Sequence, residues 1–231
     1  MDIIIEGIEE AFRLIFSRDR EVFEVVFLSL RVSLVSLLIA GSAGIPLGIW
    51  MAKHRFVLKH FLMRLIYTLM GMPPVLCGLV VYIIFMRRGP LGSLKLNYTG
   101  TVMIVAQTLL ILPIILGLTM DAAREKRIQM LAKTLGADGP QTLRLFIFEL
   151  RFGLITALVS GFSRAISEVG AVMIVGGNIE GKTRVMTTYI SQLKGMGEFE
   201  RAVAVGILLL LISFAMNSVL YHFQKEKSHE T

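Results

Sequence analysis

Residues 121–150 read DAAREKRIQMLAKTLGADGPQTLRLFIFEL, a polar interval that separates two long apolar runs. Within it, apolar residues recur every three or four positions on both sides of the segment GADGP, residues 136–140. This spacing is typical of amphipathic helices, and glycine and proline together end a helix. We therefore expect two short amphipathic helices, joined by a glycine-rich elbow, between two membrane spans. A soluble partner protein could bind such an elbow.

The composition around this interval is that of a membrane protein. Hydrophobic residues make up 55% of the 231 residues, charged residues 18%, and the mean hydropathy is +0.71. The apolar residues form runs that reach the roughly 20 residues a helix needs to cross a bilayer. We expect an all-α integral membrane protein without a separate soluble domain. The formal charge of +7 suits loops that lie beside anionic lipid, so no nucleic-acid partner is expected.

The chain is expected to cross the membrane five times after an amphipathic N-terminal helix. Residues 2–16 place Ile5, Ile8 and Phe12 on one helical face and acidic residues on the other. This segment is too short and too charged to span, and it is typical of an interfacial helix. The predicted spans cover residues 25–51, 61–86, 99–119, 152–175 and 201–223.

The distribution of basic residues predicts which side of the membrane each loop faces. The loop at 52–64 has no acidic residue and contains Lys53, His54, Arg55, Lys59, His60 and Arg64. Short basic loops of this kind lie in the cytoplasm. If 121–150 lies on the same side, five spans place the N-terminus outside the cell and the C-terminus in the cytoplasm. The expected regions are an interfacial segment at 1–20, a transmembrane domain at 21–225 and a cytoplasmic tail at 226–231.

The second predicted span contains the sequence GMPP at residues 71–74. Pro73 and Pro74 have no amide hydrogen to donate, so a regular helix cannot continue through them unchanged. A broken helix at membrane depth is tolerated only where protein buries it or a water-filled cavity adjoins it. Residues 71–74 are therefore a candidate wall of a transport pathway. A simple proline kink in a packed helix is an equally open alternative.

The fourth predicted span carries two ionisable residues, Arg164 and Glu168. On a continuous helix they share a face and can pair, because they are four positions apart. They either line a route for an anion, with Arg164 supplying positive charge, or form an internal ion pair that fixes helix packing. Arg31, near the start of the first span, is expected to extend towards the membrane surface. The candidate pathway residues are Met72, Pro73, Pro74, Ser160, Arg164, Ser167 and Glu168.

Residues 176–183, GGNIEGKT, match the phosphate-binding pattern G-x-x-x-x-G-K-[ST]. A working nucleotide site would also need a preceding buried strand and an acidic Mg²⁺ partner, whereas a membrane span precedes this segment. We expect a flexible external loop beside the pathway; the alternative is a membrane-embedded nucleotide hydrolase that depends on Lys182. The sequence shows no other catalytic motif, and its single cysteine, Cys77, lies in an apolar run. Neither an enzyme nor a metal site is expected.

The elbow resembles a signature of the permease subunits of binding-protein-dependent ABC importers. That signature is Glu-Ala-Ala, three residues, Gly, nine residues, Ile, one residue and Leu-Pro. Ala132 and Gly136 match its third position and its glycine, whereas Met130, Leu131, Phe146 and the pair Phe148 and Glu149 depart from it. The resemblance covers residues 20–225 and is greatest to the molybdate and tungstate branch. The strings that carry it are GIPLGIWMAK, MPPVLCGLV, RRGPLG and RAISEVGAVMIVGGNIEGKTRVMTTYI, the last at residues 164–190.

This resemblance implies a permease fold of the type I ABC importers and a multi-pass location in the cell membrane. It implies a homodimer with one pathway, a cytoplasmic dimer of ATPase subunits and a separate extracytoplasmic binding protein. ATP and Mg²⁺ would belong to the ATPase, so no cofactor is expected in this chain. The implied cargo is an oxyanion, most of all tungstate, with molybdate, sulfate or another small ligand as alternatives. The implied ATPase-coupling residues are Ala132, Lys133, Thr134, Leu135, Gly136, Ala137, Asp138 and Gly139.

Overall fold

The protein is a helical bundle in a computed structural model that describes residues 2–17, 19–124, 134, 136 and 138–225. Within these ranges every regular element is a helix, and we number the α-helices α1 to α9 in chain order. The α-helices are α1 Asp2–Ser17, α2 Arg20–Lys53, α3 Lys59–Met70, α4 Pro74–Phe85, α5 Gly100–Ala123, α6 Gly139–Ile166, α7 Gly170–Gly176, α8 Met186–Met196 and α9 Phe199–Lys225. A short 3-10 helix occupies Gly92–Leu94.

The described residues contain up to five membrane spans. By length and composition, α2, α5 and α9 can each cross a membrane. Two more spans are helix pairs that bend sharply at a short break, by 104° between α3 and α4 and by 55° between α6 and α7. The prediction of five spans is confirmed on this count. The simple proline kink considered for residues 71–74 is wrong, because the helix ends at Met70 and a new one begins at Pro74.

The polar interval at 121–150 differs from the prediction of two separate short helices. The fourth span does not begin near residue 152, since α6 runs without interruption from Gly139 to Ile166. The expected second short helix is therefore the first part of the span itself. The helix begins at Gly139 because Asp138 caps it and Pro140 fits its first turn. Most of the expected first short helix lies outside the described residues.

The centre of the bundle is the contact between α2 and α5, which run parallel to each other. Glycines on α2 allow the two backbones to approach closely: a Cβ atom on Gly48 would lie 2.9 Å from the carbonyl oxygen of Leu116. Because the helices are parallel, residues 54–58 and Arg124 lie at the same end of the bundle, which we call the elbow end. The opposite end, where α9 begins and Arg201 lies 3.2 Å from Asp19, is called the loop end.

The N-terminal helix is confirmed at Asp2–Ser17, but it packs with only part of the predicted apolar face. Ala11 and Leu14 are buried, and Gly7 packs so closely against α9 that a Cβ atom would lie 2.6 Å from Val203 Cγ1. The large apolar residues Ile3, Ile5, Ile8 and Phe12 are all exposed. The small residue at position 7 allows this close contact, whereas the larger apolar residues stay exposed. The location of α1 at a membrane surface remains a prediction.

Candidate functional site

The first helix break separates α3 from α4. Gly71 caps the end of α3, Pro73 stands in an extended conformation before α4, and Pro74 is at the start of α4, where its missing amide costs nothing. Met72 and Pro74 are half-buried, and Pro73 is exposed. The break arises from the sequence itself, because two consecutive prolines cannot lie inside a continuous helix.

The second break, at residues 167–169, is held by side chains. Glu168 is buried, and its Oε1 accepts a hydrogen bond of 3.0 Å from the amide of Ala171. The hydroxyl of Thr187, on α8, donates to the carbonyl oxygen of Glu168 at 2.7 Å. Gln107, a buried residue on α5, donates from Nε2 to the carbonyl oxygen of Ala165 at 3.0 Å. The carbonyl oxygens of Ala165 and Glu168, which lie at the break, thus accept hydrogen bonds from α5 and α8. Buried backbone groups need such partners.

The internal ion pair between Arg164 and Glu168, one of the two alternatives considered from the sequence, is wrong. The helix ends at Ile166, so the two residues do not share one helical face. Among the described residues, Arg164 forms no ion pair within 4.0 Å, and Glu168 instead caps the start of α7. The half-buried guanidinium of Arg164 therefore lies next to the break without a neutralising carboxylate.

The two breaks lie next to each other. A Cβ atom on Gly170 would lie 2.8 Å from Val75 Cγ2, and one on Gly78 would lie 2.7 Å from Ala171 Cα. The start of α4 therefore packs directly on the start of α7. This packing brings the candidate residues around Pro74 close to those around Glu168. Ser160 is half-buried in α6, about two turns before the break.

The elbow is exposed where it is described. Thr134, Gly136 and Asp138 are all exposed, and Gly136 has a φ of +69°, a left-handed conformation that glycine adopts without strain. A Cβ atom at Gly136 would meet no described residue within 4 Å. Asp138 and Gln141 form a reciprocal capping box, with bonds of 2.9 and 3.1 Å. Of the other predicted coupling residues, Gly139 begins α6, whereas Ala132, Lys133, Leu135 and Ala137 lie outside the described residues.

The GGNIEGKT segment forms a closed loop between α7 and α8, and its structure differs from a nucleotide-binding P-loop. The preceding element is the helix α7, where a P-loop requires a strand. The hydroxyl of Thr183 is fully buried; it donates to the carbonyl oxygen of Gly176 at 2.6 Å and accepts from the amide of Ile179 at 2.9 Å. The amides of residues 182–184 all donate to the carbonyl oxygen of Ile179. The Thr183 hydroxyl and the amides of residues 182–184, which would hold Mg²⁺ and phosphate in a P-loop, are used to close the loop.

Charged residues at the loop end join the start of α2, the loop before α8 and the start of α9. Arg184, only 8% exposed, lies 2.6 Å from Glu21, and Arg201 lies 3.2 Å from Asp19 and 3.3 Å from Glu21. Tyr189 on α8 packs beside both guanidinium groups. Burial, together with a hydrogen bond to Glu21, raises the pKa of Tyr189 above its usual value. The three elements are thus held as one unit.

Sequence reasoning missed Gln107, Thr187 and the whole of α8. Gln107 had a signal, because an amide inside an otherwise apolar span must find a hydrogen-bond partner. Thr187 had none, since nothing in the sequence near residue 187 shows that its partner is the carbonyl of Glu168.

The fold and the site together define a class: an all-helical integral membrane protein of permease type, with two adjoining helix breaks and an exposed elbow at one end. Residues 44–229 match the family of binding-protein-dependent transport system inner membrane components. The chain belongs to this family. The resemblance to permease subunits of binding-protein-dependent importers, inferred from the elbow and the flanking strings, is thereby confirmed.

Similar proteins within the family include permeases for related oxyanions. The chain is 48% identical over 228 residues to the tungstate uptake system permease protein TupB of Peptoclostridium acidaminophilum, covering 98% of this chain and all of that protein. It is 34% identical over 227 residues to TupB of Campylobacter jejuni, covering 97% and 95%. It is 27% identical over 212 residues to the molybdenum transport system permease protein ModB of Azotobacter vinelandii, covering 87% and 93%.

Proposed function

We propose that this chain is the permease subunit of an ABC importer that carries tungstate into the cytoplasm. The observation that carries this proposal is the 48% identity to a tungstate permease along the whole length of both chains. The adjoining helix breaks support this proposal, because irregular backbone at membrane depth is tolerated where protein buries it or where it lines a water-filled cavity. Relatives that transport molybdenum or sulfate are more distant, at 27% and 26% identity, so molybdate and sulfate are the alternative cargoes.

The proposed pathway runs past the two breaks. Met72, Pro73, Pro74, Ser160, Arg164, Ser167 and Glu168 are its proposed lining. Arg164 is suited to attract a dianion, because its charge has no carboxylate partner among the described residues. Glu168 is suited to a structural part, because its carboxylate already accepts the amide of Ala171. We assign the anion contact to Arg164 and the shape of the break to Glu168.

Coupling to ATP is assigned to the elbow, residues 132–139. It would contact a separate ATPase subunit that holds ATP and Mg²⁺, so this chain itself would not hydrolyse ATP. The exposed turn at Gly136 leaves room for a partner, and the capped start of α6 fixes the direction in which a force enters the helix. Two copies of the chain would form the pathway between them, and two ATPases would drive its alternating access.

The elbow end is assigned to the cytoplasm and the loop end to the outside. The basic loop at 52–64 supports this assignment, because it lies at the elbow end and contains no acidic residue. The N-terminal helix then lies outside and the C-terminus inside. A substrate-binding protein would deliver the oxyanion to the loop end.

Uptake into vesicles tests the proposal. Vesicles that contain this chain, its ATPase and its binding protein would be given tungstate and molybdate in competition, with ATP inside or absent. We expect ATP-dependent uptake with a strong preference for tungstate. Equal uptake would widen the cargo to both tetrahedral dianions, and uptake of neither would refute the proposed cargo. Hydrolysis of ATP by this chain without its partner would contradict the assignment of ATP hydrolysis to a separate subunit.

A further inference from the structure

The GGNIEGKT loop lines a cavity at the loop end of the bundle. The cavity has a volume of about 770 Å³ and lies between this loop and the first part of α2. Its charged residues from α2 are Arg20, Glu21, Glu24 and Arg31, and those from the loop are Glu180, Lys182 and Arg184. The segment that resembles a phosphate-binding motif therefore does face a charged cavity, although it does not form a P-loop.

The two walls of this cavity are fixed to each other. Arg184 bridges from the loop to Glu21 on α2 at 2.6 Å, and the amide of Met186 donates to the hydroxyl of Ser29 on α2 at 2.8 Å. The loop is also closed on itself through the buried hydroxyl of Thr183. Because both walls are held by hydrogen bonds and ion pairs, the backbone that forms the cavity is in place before any ligand arrives.

The charges in the cavity do not cancel evenly. All three acidic residues have cationic partners: Glu21 pairs with Arg184 and Arg201, Glu24 with Arg20 at 2.8 Å, and Glu180 with Arg184 at 3.5 Å. Arg31 and Lys182, in contrast, form no ion pair within 4.0 Å with any described residue. The lining thus contains four cations and three carboxylates, and Arg31 and Lys182, on opposite walls, are the two cations without an ion pair to a described residue.

We propose that this cavity binds a tetrahedral oxyanion, with Arg31 and Lys182 as its two cationic contacts. A guanidinium and an ammonium group form strong charge-assisted hydrogen bonds to oxyanions. The naming of tungstate as the ligand rests on the proposed function, and the cavity would then be a holding site between the outer surface and the helix breaks. The phosphate group of a membrane lipid has the same chemistry and could fill the same site. Arg31 thereby acquires a role beyond the simple extension to the surface expected from the sequence.

A binding measurement on the permease alone tests this site. The full chain would be placed in nanodiscs of phosphatidylcholine, and bound tungstate would be measured by equilibrium dialysis and elemental mass spectrometry. We expect saturable binding that weakens at least about tenfold in Arg31→Gln and in Lys182→Gln, because each loses one charged hydrogen-bond donor. Lys194→Gln is the matched control: it removes an exposed cation from α8, which does not line the cavity, and should bind like wild type.

The arms of the experiment separate the possible sources of the oxyanion. Nanodiscs with phosphatidylglycerol would show a lipid ligand, through co-purified anionic lipid that is lost in Arg31→Gln and Lys182→Gln but kept in Lys194→Gln. That result supports an oxyanion site and assigns it to lipid phosphate. Wild-type chain that retains neither tungstate nor anionic lipid overturns the proposal, as do Arg31→Gln and Lys182→Gln variants that retain both ligands like wild type.

The binding and uptake measurements together distinguish a failure of the cavity proposal from a failure of the proposed function. If vesicles take up tungstate normally while Arg31→Gln and Lys182→Gln leave both binding and uptake unchanged, the permease proposal stands and the cavity proposal fails. If the wild-type chain binds tungstate in this cavity but the complete transporter takes up none, the cavity stands and the proposed cargo fails.

Discussion

Replacement of Gly136 distinguishes a turn that merely needs glycine from a turn that contacts a partner. Gly136 has a φ of +69° and open space around its Cβ position. In a left-handed conformation, alanine costs about 1 kcal/mol or slightly more, whereas asparagine adopts it more readily. If only the backbone matters, Gly136→Ala should therefore be worse than Gly136→Asn. Since about 1.4 kcal/mol corresponds to a tenfold change, the backbone strain of Gly136→Ala should weaken ATPase affinity about fivefold.

The proposed contact with an ATPase predicts the opposite order. No described residue occupies the space beside Gly136, and in the proposed complex a docked ATPase surface would fill it. A larger side chain then conflicts with the partner, and Gly136→Asn should weaken ATPase binding more than Gly136→Ala does. We expect a loss of at least about tenfold for asparagine, since overpacking a closed interface costs on the order of 1–3 kcal/mol.

The assay is the affinity of the purified ATPase subunit for the permease in detergent, measured beside the melting temperature of each permease variant. Gly197 provides the matched control, because it also has a positive φ, +84°, and no neighbour within 4 Å, but it ends α8 at the loop end. Gly197→Ala and Gly197→Asn should leave ATPase affinity unchanged and affect only stability, with alanine worse than asparagine. If Gly136→Ala weakens ATPase binding more than Gly136→Asn does, the elbow does not contact the ATPase at this glycine.

Three further predictions concern stability, read as the apparent melting temperature in detergent. Gly78→Val should lower the melting temperature by the equivalent of about 1–3 kcal/mol, because the new side chain meets the backbone of Ala171. The control Gly206→Ala should be neutral or stabilising, because no described residue lies within 4 Å of its Cβ position. Equal effects of the two changes would contradict the close packing of α4 on α7. Thr187→Val keeps the side-chain shape but leaves the buried carbonyl of residue 168 without its donor, so we expect a loss of about 1–3 kcal/mol, and an unchanged melting temperature would refute the bond. Because the pKa of Tyr189 is raised in the folded state, the unfolded state loses the phenolic proton first as the pH rises. The contribution of Tyr189 to stability is therefore full below about pH 10 and falls as the pH rises further. Tyr189→Phe should flatten that decline, and an identical alkaline profile would show that Tyr189 does not cause it.

The sequence was sufficient for the class and the number of spans, because both depend on local quantities. Run length and hydropathy locate spans, and consecutive prolines mark a break. The second break could not be found in this way, since residues 166–170 contain glycine but no proline. That break depends on Gln107 and Thr187, which are distant in sequence and near only in the fold. The same break invalidated the predicted ion pair of the fourth span, which assumed a continuous helix.

The boundaries of the polar interval show a second limit of local reasoning. Its charges and its GADGP segment suggested a helix that stops and starts again before the membrane. The structure uses the same residues differently, with the left-handed turn at Gly136 and a capped start at Asp138, after which the helix continues into the span. Amphipathic periodicity cannot separate a short surface helix from the exposed beginning of a long one, because both have the same spacing.

The continuity of α6 determines how a movement at the elbow could reach the interior. Its 28 residues form a rod about 42 Å long, which begins at the capped elbow and ends at the break beside Glu168. A continuous helix of this length can transmit a displacement along its axis. At the break the regular backbone hydrogen bonds of the helix are replaced by bonds from side chains of α5 and α8, so we expect bending to occur there. The helix α8 is in turn bonded to Ser29 of α2, and the adjoining Arg184 is paired with Glu21. If the elbow is the coupling site that we propose, a movement there would reach the second break first and the wall of the proposed oxyanion cavity next.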